Sequence, residues 1–337
     1  MVHEPWDHIA YRRYNARKKR LKSEGVPMTT ARTPRSHALP LVALLLLISL
    51  AACGSPAPMP TPKPTAVNDT MVPVLAVSEL TVGSNRIALG VIQGGTPLNK
   101  PDLKLDLRFF YLDGNDDTKV QSESSAVYRG QGLPFGLYVA YAAFDKPGNW
   151  SVSISIPKAS GPPQVATLRL SVQAISRLPA KGTAAIPSKN LTVRDNADLT
   201  KITSDTKPDP DFYQMTIAEA IAAKKPFVIG FLTPGYCQTA VCAPNLAVLK
   251  KLKDAYKGKL NFIHVEVYPY PYGESFQQQK RVPPMVEWGL ITEPWTFLVG
   301  ADGLIQYRYE GGITLEEMEP ALAQLAAGQP VTPLLGK

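Results

Sequence analysis

Four regimes of hydrophobic patterning follow one another along the 337 residues. The first is one apolar block, Ala38 to Ala52 (ALPLVALLLLISLAA), with Arg32 and Arg35 before it. Its length falls short of the roughly 20 residues that span a bilayer as a helix. The second regime runs from 72 to 173 and has a period of two. Leu103, Leu105, Leu107 and Phe109 alternate with Lys104, Asp106 and Arg108. Trp150, Val152, Ile154 and Ile156 alternate with serines, and Leu168, Leu170 and Val172 with Arg169, Ser171 and Gln173. One apolar face at this period predicts half-buried strands. The third regime, 174–210, is rich in Pro, Lys, Ser, Thr and Asp, lacks sustained periodicity and reads as a linker.

The fourth regime, 211–337, mixes periods. Thr216 and Glu219 stand at capping-box spacing and predict a short helix through Ala223, stopped by Pro226. Phe227–Leu232 is a continuous apolar run between breakers, hence a buried strand. A turn with Cys237 and Cys242 follows, then a helix face of Leu246, Leu249, Leu252 and Tyr256 ending near Gly258. Leu260–Val267 is strand-like. Trp295–Val299 and Gln306–Tyr309 form a hairpin around Ala301-Asp302-Gly303, and Thr314–Ala326 is a closing helix.

In the second regime, turn clusters at 83–85, 94–95, 113–116 and 146–149 separate about seven short strands. This predicts an immunoglobulin-like β-sandwich with Trp150 in its core. The stretch Tyr138–Ile156 resembles bacterial extracytoplasmic modules of that type. It holds no His and no catalytic set, so a spacer or docking role is expected.

Charge and composition narrow the function. Of the net charge of +8, the residues before Cys53 carry nine Lys/Arg against three acids, an excess of six that leaves +2 for the rest. A basic nucleic-acid binder is therefore excluded, and no nucleic-acid partner is expected. Three Cys exclude a disulfide-dense scaffold. Four His, three of them at or before His37, exclude a His-rich metal enzyme.

The apolar block is the h-region of a secretory signal, and it ends in Leu50-Ala51-Ala52-Cys53-Gly54. This resembles the lipobox of bacterial lipoproteins. The resemblance implies a signal peptide over 28–53 and a diacylglycerol on Cys53. It also implies a chain held by lipid on the outer face of the cell membrane. Residues 1–27 are basic and unpatterned, and read either as an over-long start ahead of Met28 or as a cytosolic tail. Residues 54–71 form a Pro-rich tether, with five Pro within Ser55–Ala66.

The order helix, strand, Cys turn, helix, strand, Pro-led hairpin and helix over 211–327 resembles the thioredoxin fold. The features that carry it are an apolar strand running into a Cys pair at a helix start, Pro294 before the hairpin, and a closing helix after Gly311-Gly312. The expected architecture is thus an N-terminal immunoglobulin-like sandwich and a C-terminal α/β thioredoxin-like domain. The resemblance implies Cys237 as attacking thiol, Cys242 as resolving thiol, and a cis Pro294. Tyr236, Glu293, Pro294 and Trp295 would bind substrate. With Cys53 lipidated only two Cys remain, and a redox disulfide between them is the one redox group expected, with no further cofactor or metal. Partners would be extracytoplasmic protein thiols or disulfides and a membrane electron donor or acceptor.

Two departures stand out. The spacing is Cys-x4-Cys, and residues five apart in one α-helix diverge by about 8–9 Å, so Cys237 is expected in the turn and Cys242 in the first helical turn. The acid that thioredoxins bury beneath the pair aligns with Gly230 or Phe231. Three alternatives stay open. One is a docking lipoprotein with a structural disulfide. Another is a peroxiredoxin-like protein, since Thr233-Pro234-Gly235 precedes the first Cys with Tyr236 interposed. The last is a copper-handling protein using the two thiolates, alone or with His264. Residues 268–282 read as a polar and aromatic loop, with Tyr270, Tyr272 and Trp295 as a substrate rim.

Overall fold

The structure is a computed structural model and describes residues 69–332. These belong to one compact unit. The signal segment, Cys53 and nearly all of the tether lie outside the described residues. Among the described residues, no helix is long and apolar enough to cross a membrane.

Nine strands occupy Met71–Gln173: β1 (Met71–Leu75), β2 (Leu80–Thr81), β3 (Gly83–Gln93), β4 (Thr96–Pro97), β5 (Leu105–Tyr111), β6 (Val120–Tyr128), β7 (Tyr138–Phe144), β8 (Gly148–Ile156) and β9 (Gln164–Gln173). They follow one path, β1-β3-β7-β6-β5-β8-β9-β2, with β4 hairpinned onto β3. Strand β6 turns the corner: it pairs with β5 through 120–126 and with β7 through Val127 and Tyr128. The sheet therefore curls as a half-barrel around one core. Leu105, Leu107 and Phe109 point inward while Asp106 and Arg108 face solvent, as a two-residue period requires. Trp150 is 1% exposed and meets Phe144 edge-on at 5.0 Å. Gly94 and Gly95, at φ 57° and 82°, make the tight β3–β4 turn that residues with a Cβ resist. The cluster at 83–85, expected as a turn, instead opens β3. Asn85 bonds Thr81 and Gly83 and holds the bend inside the strand's start.

The second domain has a four-stranded sheet: β10 (Phe227–Leu232), β11 (Asn261–Glu266), β12 (Trp295–Val299) and β13 (Ile305–Glu310), in the order β11-β10-β12-β13. β10 runs parallel to β11, and β12 is antiparallel to both β10 and β13. The helices are α1 (Ile217–Ala222), α2 (Cys242–Ala255), α3 (Tyr272–Gln277), α4 (Pro283–Glu287) and α5 (Leu315–Ala326). Both bonds of the Thr216–Glu219 capping box are present at α1. Strand β10 is buried on both faces. Val228 and Leu232 pack with Leu246, Leu249, Met318 and Leu322 of α2 and α5. Phe227, Ile229 and Phe231 pack with Ile217, Met285, Trp288 and Phe297 on the other side. This is a thioredoxin-like arrangement of one mixed sheet between two helical layers.

The linker does not cross open solvent. Leu178, Ala185 and Ile186 join the α1/α4 layer, Ile202 joins the α2/α5 layer, and Ala184 bridges to Leu304 beside β13. Segment 268–282, expected as a loop, contains α3, and its Tyr272 is buried with its hydroxyl on the Thr200 carbonyl at 3.0 Å.

The two domains meet through a buried ion pair and more open contacts beside it. Arg86 on β3 reaches Glu317 on α5 and also donates to the carbonyls of Glu310 and Gly312. The Ser78 N–H donates to Glu310 Oε2 at 2.7 Å, and Glu79 pairs with Arg308.

Candidate functional site

Strand β10 delivers the chain into Thr233-Pro234-Gly235-Tyr236-Cys237, and α2 starts at Cys242. The two Cys are disulfide-bonded with Cα atoms 5.9 Å apart, inside the reach of a disulfide because only the second lies in the helix. Cys242 is fully buried, whereas Cys237 is half-buried. No side chain caps α2. Instead the N–H of Cys242 donates to Sγ of Cys237 at 3.2 Å, so sulfur takes the capping position. The Thr239 hydroxyl lies 3.3 Å from the same sulfur. Unpaired N–H groups and the positive helix end stabilise a thiolate there.

The four intervening residues fold back over the segment before β12. The N–H of Gln238 donates to Glu293 Oε1 at 3.2 Å, and the Thr239 hydroxyl lies 3.4 Å from the Glu293 carbonyl. The Glu293–Pro294 peptide bond is cis. Ala240 sits at φ 62°, a left-handed conformation costing a residue with a Cβ about 1–2 kcal/mol. Glu293 is 5% exposed, and burial raises its carboxyl above the usual range.

Of the residues expected to bind substrate, only Tyr236 is partly open. Its ring stands 6.1 Å from Tyr272 and 5.9 Å from Phe276. Glu293 touches the Cys loop through Gln238 and Thr239, Pro294 follows it and Trp295 opens β12, and all three are buried. Trp295 faces the α1/α4 layer, stacks on Phe297 and donates its indole N–H to Thr292. The expected rim therefore reduces to Tyr270, which is exposed, because alternate β12 side chains enter the core and the linker covers Tyr272.

Gly230 explains the missing acid. A Cβ there would meet Leu249 Cδ1 at 2.8 Å, so leucine side chains fill the space where a carboxylate would stand. Of the three buried acids among the described residues, Glu317 pairs with Arg86, and Glu293 and Glu266 hold the surroundings of the Cys loop. Glu266 accepts from the N–H and hydroxyl of Ser204, whose oxygen also takes the Gly235 N–H at 3.0 Å. The linker is thereby tied to the Cys loop, a contact that no periodicity signals. His264 is buried: Nε2 faces the Leu232 carbonyl at 3.0 Å and Nδ1 the Tyr213 hydroxyl at 2.6 Å. Its proton therefore sits on Nε2, Tyr213 donates to Nδ1, and burial lowers its pKa to about 4. Both ring nitrogens are thus engaged, so a copper site here would rest on the two thiolates alone.

No family model matches the chain, and no curated protein sequence matches it. Among solved structures, it is similar to a thiol:disulfide interchange protein, a thioredoxin family protein from Chlorobium tepidum TLS. Identity is 13%, over 45% of this chain and 99% of that one, with a TM-score of 0.27. A score this low does not decide a fold. The thioredoxin-like assignment rests on the strand order, the helix layers and the Cys turn described above.

Proposed function

We propose that this chain is a thiol–disulfide oxidoreductase acting on protein disulfides through Cys237 and Cys242. One observation carries the reading: a half-buried sulfur at a helix start accepts a backbone N–H and is bonded to a fully buried second sulfur. In the reducing direction, the Cys237 thiolate attacks a substrate disulfide, forms a mixed disulfide and releases one substrate thiolate. The Cys242 thiolate then attacks Cys237 Sγ, closes the Cys237–Cys242 disulfide and releases the second thiolate. Two electrons pass from the pair to the substrate, and the reverse sequence oxidises a dithiol.

The resemblance of Leu50–Gly54 to a lipobox and the Pro-rich segment after it support a location at the outer face of a membrane, and a membrane electron donor or acceptor would then be the redox partner. We read the β domain as immunoglobulin-like. Its support is the corner strand β6 shared by both halves and the parallel β2–β9 edge.

The test is the reduction potential of the pair, by equilibration against glutathione or dithiothreitol with alkylation readout. A value between about −120 and −270 mV, with reduction of insulin disulfides, supports the function. A value below about −300 mV, with thiols reactive only after unfolding, overturns it in favour of a docking protein with a structural disulfide.

A further inference from the structure

The residue between the Cys turn and α2 is Val241, and it is covered by the other domain. Val241 is 2% exposed and belongs to a cluster whose other buried members, Ala88, Leu133, Leu137 and Val139, all come from the β domain. Leu133 and Leu137 sit on the segment joining β6 to β7. The same two leucines press on the turn after β13: a Cβ at Gly312 would meet Leu133 Cδ1 at 2.6 Å and Leu137 Cδ2 at 3.3 Å. That turn is bolted to the first turn of α2. Asn245, fully buried, donates its amide to the Gly311 carbonyl at 2.9 Å and accepts the Ile313 N–H at 3.0 Å. From the β domain, Arg86 holds the Gly312 carbonyl at 2.8 Å. Beside the junction, Glu316 takes Arg129 and Gln131 from the β6–β7 segment. The side of the Cys turn toward Val241 and Gly312 is thus occupied by protein, while Gln238, Thr239 and Ala240 are exposed on the other side.

We propose that the β domain is a structural part of the redox site. Leu133 and Leu137 act as positioning residues: they close the Val241–Gly312 side and, through Val241, hold the start of α2 so that Cys242 stays packed in the α2/α5 core and an external thiol or disulfide meets Cys237 alone. The approach lies over Tyr236, Gln238 and Thr239. The mixed disulfide then forms on Cys237 alone, and Cys242 is kept as the internal thiol that attacks Cys237 Sγ to resolve it. This account takes its meaning from the oxidoreductase reading, but the shielding of Cys242 is measurable without any substrate.

The full chain is reduced with dithiothreitol, freed of reductant and exposed to iodoacetamide under native conditions, and modification at each Cys is followed by mass spectrometry. In the wild type Cys237 reacts and Cys242 is protected by at least a hundredfold. The Leu133→Ala/Leu137→Ala variant is expected to raise the Cys242 rate at least tenfold with the Cys237 rate changing less than threefold. Leu133→Met keeps the wild-type protection. Val152→Ala, a cavity in the β-domain core away from the junction, is the control for general loosening and should leave Cys242 protected. An unprotected Cys242 in the wild type, an unchanged rate in the double variant, or equal exposure in Val152→Ala would each overturn the proposal. Failure of the redox reading shows separately: the wild type would then not reduce insulin, whatever the alkylation pattern.

Discussion

Arg86 of the β domain and Glu317 of α5 form a two-point ion pair, Nε to Oε1 at 2.6 Å and Nη2 to Oε2 at 2.8 Å, with both side chains nearly fully buried. The Tyr141 hydroxyl donates to the same Oε1 at 2.6 Å. Burial and the Glu317 charge push the Tyr141 phenol far above its ordinary value, so it remains a donor. Removing one partner leaves the other charge uncompensated, at a cost of about 3–5 kcal/mol. Glu317→Gln is therefore expected to lower stability by about 3 kcal/mol in urea unfolding and to split the transition in two. Arg86→Met/Glu317→Leu should recover most of the loss. A Glu317→Gln change under 1 kcal/mol would show that the pair does not hold the domains together.

Little of this junction is legible in the sequence. The alternating strands of the β domain are, and so are the strands and the helices α1, α2 and α5 of the second domain, because Leu105–Phe109 alternates and Phe227–Leu232 is continuously apolar; α3 and α4 are not. The Cys turn is legible too, since helix geometry requires Cys237 to precede the helix that Cys242 opens. What escapes is everything set by contacts between distant residues. Val241 meets Leu133 across more than a hundred residues, and Glu317 reads as an ordinary first-turn acid of α5. From the sequence, Glu293 and Trp295 are expected open to substrate, but burial is a property of the packed layers and not of their own segment. The linker's role fails for the same reason: Ser204 contacts Gly235 and Glu266 through single hydrogen bonds that leave no pattern.

The asymmetry between the two sulfurs predicts distinct variants. Cys237→Ala should abolish exchange. Cys242→Ala should keep the first attack and accumulate a mixed disulfide with oxidised glutathione, seen as an adduct on Cys237 by mass spectrometry. Thr239→Val removes the hydroxyl 3.3 Å from Cys237 Sγ. One hydrogen bond of about 0.5–1.5 kcal/mol corresponds to a rise of about half to one unit in the thiol's pKa. Thiolate absorbance against pH reads it, and an unchanged curve would remove Thr239 from the site.

Glu293 gives a pH signature. Its folded pKa is raised, chiefly by burial. A carboxyl so shifted favours the folded state below its unfolded value of about 4.3, and that contribution is lost as pH rises through the raised value. Gln keeps an acceptor for the Gln238 N–H without the charge. Glu293→Gln is therefore expected to be more stable than the wild type at pH 8 and indistinguishable from it at pH 4, by chemical denaturation. A constant difference across that range would show that Glu293 does not titrate within the folded site.

His264 works in the opposite sense and within a defined window. It is the single histidine of the described residues, fully buried, with its pKa lowered to about 4, mainly by loss of solvent. The unfolded chain takes up its proton near 6.5 while the folded chain resists it, so the contribution is complete above 6.5 and is lost as pH falls toward 4. The shift corresponds to about 3 kcal/mol. Glu266 and Glu293, both raised, gain stability over part of the same range, so the histidine is isolated by difference. His264→Gln offers one donor for the Leu232 carbonyl and one acceptor for Tyr213. The wild type should lose about 3 kcal/mol relative to this variant between pH 6.5 and 4. The ring resonances of His264 should stay at neutral-form shifts down to about pH 4. Titration near 6.5 in the folded protein would mean that the imidazole reaches solvent, and the Tyr213–His264–Leu232 chain would not exist as described.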